Sequence, residues 1–199
     1  MPKPNPDEEQ VYAAVGRALS AWSHVEESLY MILLTATLPK LPRPSSIYLQ
    51  DSFRAIESFS AFWAIESFSA QLNMVDAAVK TRYATHPECL ALWSVLYKRA
   101  RSKNNLRNEM AHGTVMPFVT PVVETYFVPS FHKNLTADVM RFVKTMIAQQ
   151  SKPRESIITD IRPAHRLTRK QVDDRTRAFN MFKLRLDRFN ERLRQIGKT

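Results

Sequence analysis

Apolar residues recur at three- and four-residue steps between positions 7 and 38: Val11, Val15, Ala18, Trp22, Val25, Leu29 and Ile32. On a helix of 3.6 residues per turn they fall in one stripe, and a stripe this long has to be covered by other elements. Pro6 and the acidic trio Asp7-Glu8-Glu9 mark its start. Proline fits a first turn whose N–H groups have no helical partner, and carboxylates complement the positive end of the helix dipole. The same period returns at the other end of the chain in Val172, Phe179, Phe182, Leu186, Phe189 and Leu193. There Thr168-Arg169-Lys170-Gln171 has the pattern of a capping box, and Gly197 closes the helix. Two long amphipathic helices at the two ends of a chain predict a helical bundle between them.

The middle of the chain supplies the other helices. Proline punctuates residues 39–45, which predicts a loop. A second helix is predicted from Ser46 or Ser52 to Ala84. It holds an internal repeat, Ala55-Ile56-Glu57-Ser58-Phe59-Ser60-Ala61 followed by Ala64-Ile65-Glu66-Ser67-Phe68-Ser69-Ala70. A nine-residue step turns the second copy about 180° from the first. An unbroken helix would then be apolar on both sides and would need cover on both, which suggests a second subunit. A bulge or break at the duplication is the other outcome. A third helix is predicted from just after His86-Pro87 to His112, with Cys89, Leu92, Val95, Leu96, Ala100, Leu106 and Met110 as its apolar positions.

Residues 114–131 are β-branched and aromatic with interspersed prolines, which predicts one or two short extended segments at an edge. A short helix is expected from Thr136 to about Gln150, then loop or extended chain to His165. The predicted fold class is therefore all-α: an up-and-down helical bundle of four to five helices with a small extended or β insertion around 114–131. Residues 1–6 are expected to be a disordered lead. Residues 7–199 are expected to form one domain, with about 114–165 inserted between the third and last helices.

The net charge of +10 is unevenly spread. Residues 1–140 hold 13 Lys+Arg against 13 Asp+Glu, whereas residues 141–199 hold 16 against 6, so the whole excess lies in the last part. This asymmetry points either to a polyanionic partner or to a solvated basic face. The single cysteine, Cys89, permits no intrachain disulfide and sits in an apolar run as a small buried residue would. The beginning of the chain has no apolar signal region, and the run Met31-Ile32-Leu33-Leu34 is too short to span a bilayer. No membrane association and a cytoplasmic location are the expectations.

The chemistry concentrates in Arg107-Asn108-Glu109-Met110-Ala111-His112-Gly113. Gly113, one of three glycines, is expected to stop the helix in the left-handed conformation. His112 would then lie at a helix C-terminus, where the dipole favours a cation and an imidazole suits proton transfer. Asn108 and His112 share a face, while Arg107 points about 140° away from His112. Two such helices facing each other would make a tighter composite site.

An Arg followed by a polar residue, three more residues and a His at a helix end resembles the Arg-x4-6-His motif of the HEPN superfamily. The sequence Ala21-Trp22-Ser23-His24-Val25-Glu26 resembles the first helix of bacterial HEPN-like proteins. The resemblance implies a helical bundle, a homodimer with the motifs at its interface and, in many members, metal-independent endoribonuclease activity. It makes Arg107 and His112 the catalytic pair and Asn108 the accompanying polar residue. It also implies that Glu26 supports Arg107; the other reading of Glu26 is a surface carboxylate. Upstream, Lys98, Arg99, Arg101 and Lys103 either hold an RNA backbone or form a solvated face.

Three functions follow. The first is a ribonuclease, with the growth-inhibition, toxin–antitoxin or phage-defence roles that the resemblance implies. The second is a non-catalytic dimeric module binding RNA, a nucleotide or a protein such as an antitoxin. In the third, Arg107 pairs with Glu26 and His112 caps a helix, both for structure alone. With glycine only at 16, 113 and 197 there is no phosphate-binding glycine loop. No His, Asp or Glu spacing suggests a metal site, and no cofactor is expected. His24, His86, His132 and His165 stand singly and are read as non-catalytic.

Overall fold

A computed structural model describes residues 6–38, 57, 59–119, 123–128 and 167–197. Four helices are α1 (Pro6–Thr37), α2 (Phe68–Arg82), α3 (Pro87–Ala111) and α4 (Arg169–Ile196), and residues 59–63 add one helical turn. Between α3 and α4 stand the strands β1 (Thr114–Val119) and β2 (Val123–Val128), paired antiparallel from Thr114↔Val128 to Val119↔Val123. Most of the described residues are helical, so the fold class is all-α with a small two-stranded insertion. The predicted helix after Leu135, the loop at 39–45, the start of the second helix and the first five residues lie outside the described residues. Among the described residues no helix is long and apolar enough to cross a membrane.

The chain forms two compact units. One comprises Ala21–Asn104 and Ala178–Thr199, the other Met1–Ser20 and Asn105–Arg177.

The first unit has an aromatic core. The Trp22 ring, 1% exposed, lies 4.9 Å from Phe68 and 5.3 Å from Phe179, joining α1, α2 and α4. Trp93 stacks on Phe189 at 5.5 Å, and its indole N–H donates to Asp76 Oδ1 at 2.9 Å. The ring is thus buried without orphaning its one donor. The Ser28 hydroxyl donates to Asp187 at 2.7 Å, tying α1 to α4 through a polar bond at the edge of this core.

One expectation is corrected in this unit, and of two open outcomes for the second helix the structure shows the break. The buried stripe of α3 is Cys89, Trp93, Leu96 and Ala100, while Leu92 and Val95 are 42% and 49% exposed. The large flat Trp93 claims the core-facing position and turns its smaller apolar neighbours outward. The second helix, moreover, is broken. The turn at 59–63 ends at Ala64, the chain runs non-helically through Ser67, and α2 begins at Phe68. The carboxamide of buried Gln71 explains how the break is tolerated. It donates to Phe62 O and Ile65 O, both at 3.1 Å, satisfying carbonyls that a continuing helix would have bonded. Because the unbroken, doubly apolar helix does not form, α2 presents no second apolar side that would call for cover by another subunit. Instead α2 buries a single face: Phe68, Gln71, Leu72, Val75 and Val79.

The second unit buries Val11, Ala14, Ala18, Met110, Val115, Phe127 and Val172. In α1 the buried position is Ala14, while Val15 is only partly covered. The predicted capping box is present. Thr168 N–H donates to Gln171 Oε1 at 2.8 Å, and Gln171 N–H donates back to the Thr168 hydroxyl at 3.3 Å. Just before it, Leu167 exchanges both backbone hydrogen bonds with Phe127, at 2.9 and 2.8 Å, which anchors the entry to α4 on β2.

Candidate functional site

The motif occupies the last turn of α3, in the second unit. Met110 is the apolar anchor, 1% exposed. Its neighbours on the helix, Arg107, Asn108 and Glu109, are half-buried, and His112 is exposed. A 3.1 Å bond from His112 N–H to Asn108 O continues the helical pattern to the imidazole residue. The Arg107 guanidinium donates to the Asn108 carboxamide oxygen at 3.1 Å. The structure therefore brings Arg107 and Asn108 together and leaves His112 exposed to solvent.

Two features fix this helix end that the sequence reading did not assign. One is Arg175 of α4, which pairs with Glu109 at 2.7 Å with side-chain exposures of 16% and 20%, and also reaches Leu106 O at 3.5 Å. A half-buried pair of this kind is screened less than a surface pair. The signal was available. Arg175 lies at helical spacing between Val172 and Phe179, inside the apolar stripe, and an arginine there needs a partner. The other feature is the reason for Gly113. None of the described glycines has a positive φ, so Gly113 is not a left-handed stop. The Phe127 ring lies against its Cα, and a Cβ would overlap ring carbons Cε1, Cζ and Cε2. Glycine is required here for close approach, which lets a buried aromatic from β2 close over the end of the motif helix.

Glu26 lies in the other unit, on α1, where its Oε1 accepts a 2.7 Å hydrogen bond from the Trp22 indole. The Trp and Glu four residues apart are thus neighbours on one helix face.

The basic run divides from the basic last helix by its pairing. On α4, Arg169, Arg175, Arg177, Lys183 and Arg192 each pair with a carboxylate. On α3, Lys98, Arg99 and Arg101 are exposed and Lys103 is half-buried. Among the described residues no carboxylate pairs with any of these four. The charge excess of the sequence lies toward the last helix, where five of the cations are paired, whereas among the described residues no such pair is found for the four on α3. His24 pairs with Glu27 at 2.9 Å, and His86 lies against the Tyr83 ring at 6.2 Å. His132 and His165 lie outside the described residues. Among the described residues no group of His, Cys, Asp and Glu is placed to hold a metal ion. Comparison with protein-family models, characterised proteins and solved structures gives no match for this chain.

Proposed function

We propose that the protein is an endoribonuclease of the HEPN type, acting in the cytoplasm as a homodimer without a metal ion. The observation that carries this reading is the helix end itself. Arg107 bonds Asn108 on a turn held by the Glu109–Arg175 pair, and exposed His112 follows at the end that Phe127 closes over Gly113. In such a reaction the 2′-oxygen of a ribose attacks the adjacent phosphorus and the bond to the 5′-oxygen breaks. A base accepts the 2′-proton, an acid protonates the leaving oxygen, and a cation steadies the charge that gathers on phosphorus. His112 suits either proton role, and the same residue of a second copy supplies the other. The fork of Arg107 suits the phosphate oxygens. Dependence on the 2′-hydroxyl makes RNA the substrate. By the same resemblance the biological setting is a toxin–antitoxin or phage-defence system, with an antitoxin as a protein partner.

A non-catalytic RNA-binding module is the second reading. It is favoured by the uncommitted cations Lys98, Arg99, Arg101 and Lys103, which serve binding whether or not cleavage follows. One assay separates the two: total RNA incubated with the protein in EDTA, beside His112→Ala and Arg107→Ala. The nuclease reading expects wild-type cleavage and a loss of about 10²–10⁴-fold in His112→Ala. Equal cleavage by the variants overturns the motif assignment. Salt-sensitive binding without product leaves the binding module.

A further inference from the structure

We propose that the cleft between the first turn of α2 and the middle of α3 binds a phosphate group. The cleft lies wholly within the aromatic unit and is lined by Ser69, Leu72, Asn73, Tyr97 and Arg101. Leu72 is fully buried and forms an apolar floor. Every other lining side chain can form hydrogen bonds. The Tyr97 hydroxyl donates to Asn73 Oδ1 at 2.7 Å, which occupies the acceptor of that carboxamide and leaves its NH2 to donate. The Ser69 hydroxyl and the guanidinium of Arg101 add further donors. A lining rich in donors and carrying one positive charge selects an anion.

Two carboxylates lie near on the chain, and Glu66, just before α2, is exposed to solvent. Asp76, the residue one turn beyond Asn73, is engaged by Lys80 at 2.7 Å and by the Trp93 indole at 2.9 Å. The first turn of α2 contains no acidic residue, and Ser67 makes no side-chain cap bond there. Ser69 thus stands at the positive end of a helix dipole that reinforces Arg101. Size sets the ligand class. A volume of 110 Å³ admits one compact group, whereas sites for whole small molecules span roughly 300–1,000 Å³. The planar fork of an arginine matches two oxygens of a tetrahedral phosphate. The group belongs either to a free nucleotide or to an RNA backbone, and the chemistry is the same. This inference is independent of cleavage, because a phosphate is held here whether or not His112 is catalytic.

Calorimetric titration tests it, with inorganic phosphate and AMP added to wild type and a twelve-nucleotide RNA added to the His112→Ala protein. The expectation is saturable binding of at least one ligand, weakened about tenfold or more by Arg101→Gln and also weakened by Ser69→Ala. Arg82→Gln, which alters an exposed charge in the last turn of α2 away from the cleft, is expected to weaken binding much less. AMP binding comparable to RNA identifies a free nucleotide as the source. RNA binding without AMP binding identifies the backbone, with a salt slope reduced by about one contact in Arg101→Gln. The proposal is overturned if no ligand binds, if Arg101→Gln and Ser69→Ala leave every affinity unchanged, or if Arg82→Gln costs as much as Arg101→Gln. The readout is binding rather than product, so failure here is distinct from failure of the nuclease reading.

Discussion

The two compact units are built on different physics. In the unit of Ala21–Asn104 and Ala178–Thr199, large rings meet in the interior: Trp22 against Phe68 and Phe179, and Trp93 against Phe189. In the unit that carries Arg107 and His112 the buried residues are mostly smaller, and charged pairs join the elements. Arg175 holds Glu109, Arg17 pairs with Asp173 at 3.0 Å, and Arg169 bonds Gln10. Aromatic burial gives large, non-directional stabilisation. Paired charges give less, but they fix direction, which a helix end bearing reactive groups requires. The difference teaches that the motif turn is positioned by a few specific bonds, whereas the other unit is held by the burial of rings.

The largest test of that contrast is Trp22→Ala. It empties a buried site between two rings and is expected to cost about 3–5 kcal/mol in urea unfolding. A cost below about 1 kcal/mol would mean the ring cluster is not the main support of its unit. Next is Arg175→Ala, which leaves Glu109 half-buried without its cation. A loss of about 1–3 kcal/mol is expected, with a coupling of similar size in a double-mutant cycle with Glu109→Gln. Absence of coupling would remove the claim that a charge pair orders the motif turn.

The smallest effect is on pH dependence and belongs to the aromatic unit. Burial pushes the Cys89 thiol up, against a lesser opposing pull from Arg192, and burial likewise raises the Tyr83 phenol. Both groups are neutral in the folded state and ionise more readily when unfolded. Their contribution is therefore complete below the ordinary thiol value of 9.0 and is lost as pH rises through the raised folded values. Cys89→Ala should flatten part of the alkaline decline in stability, and an unchanged decline would leave the Tyr83 and Tyr30 phenols and the Asp76-paired Lys80 as its sources.

Much of this architecture was legible in the residues. The capping box at Thr168 and Gln171 could be read because both partners lie within one turn. The ends of α1 and α4 and the presence of an extended insertion followed from period and composition, whereas its antiparallel pairing did not. The register of α3 did not. Leu92, Trp93, Val95 and Leu96 are all apolar, and only the cross-helix stack on Phe189 decides which of them face inward. At the site, the helix end and its glycine were visible, but the reason for the glycine was not. A helix stop and a close approach both ask for glycine, and the approaching ring comes from β2. The cleft beside Arg101 was half visible: the cation lay in a recognised basic run, while Ser69 and Asn73 meet it only through packing.

The break at 64–67 has a consequence for how this chain tolerates changes in length. Nine residues added to a continuous helix would send everything downstream to the opposite face, about half a turn out of phase. Here Phe59 in the first copy stands 51% exposed beside Tyr30, while its counterpart Phe68 starts a new helix and meets Trp22 in the core. The joint at Gln71 works as a phase reset. Residues gained upstream are absorbed before α2 begins, and the helix that lines the cleft keeps its orientation.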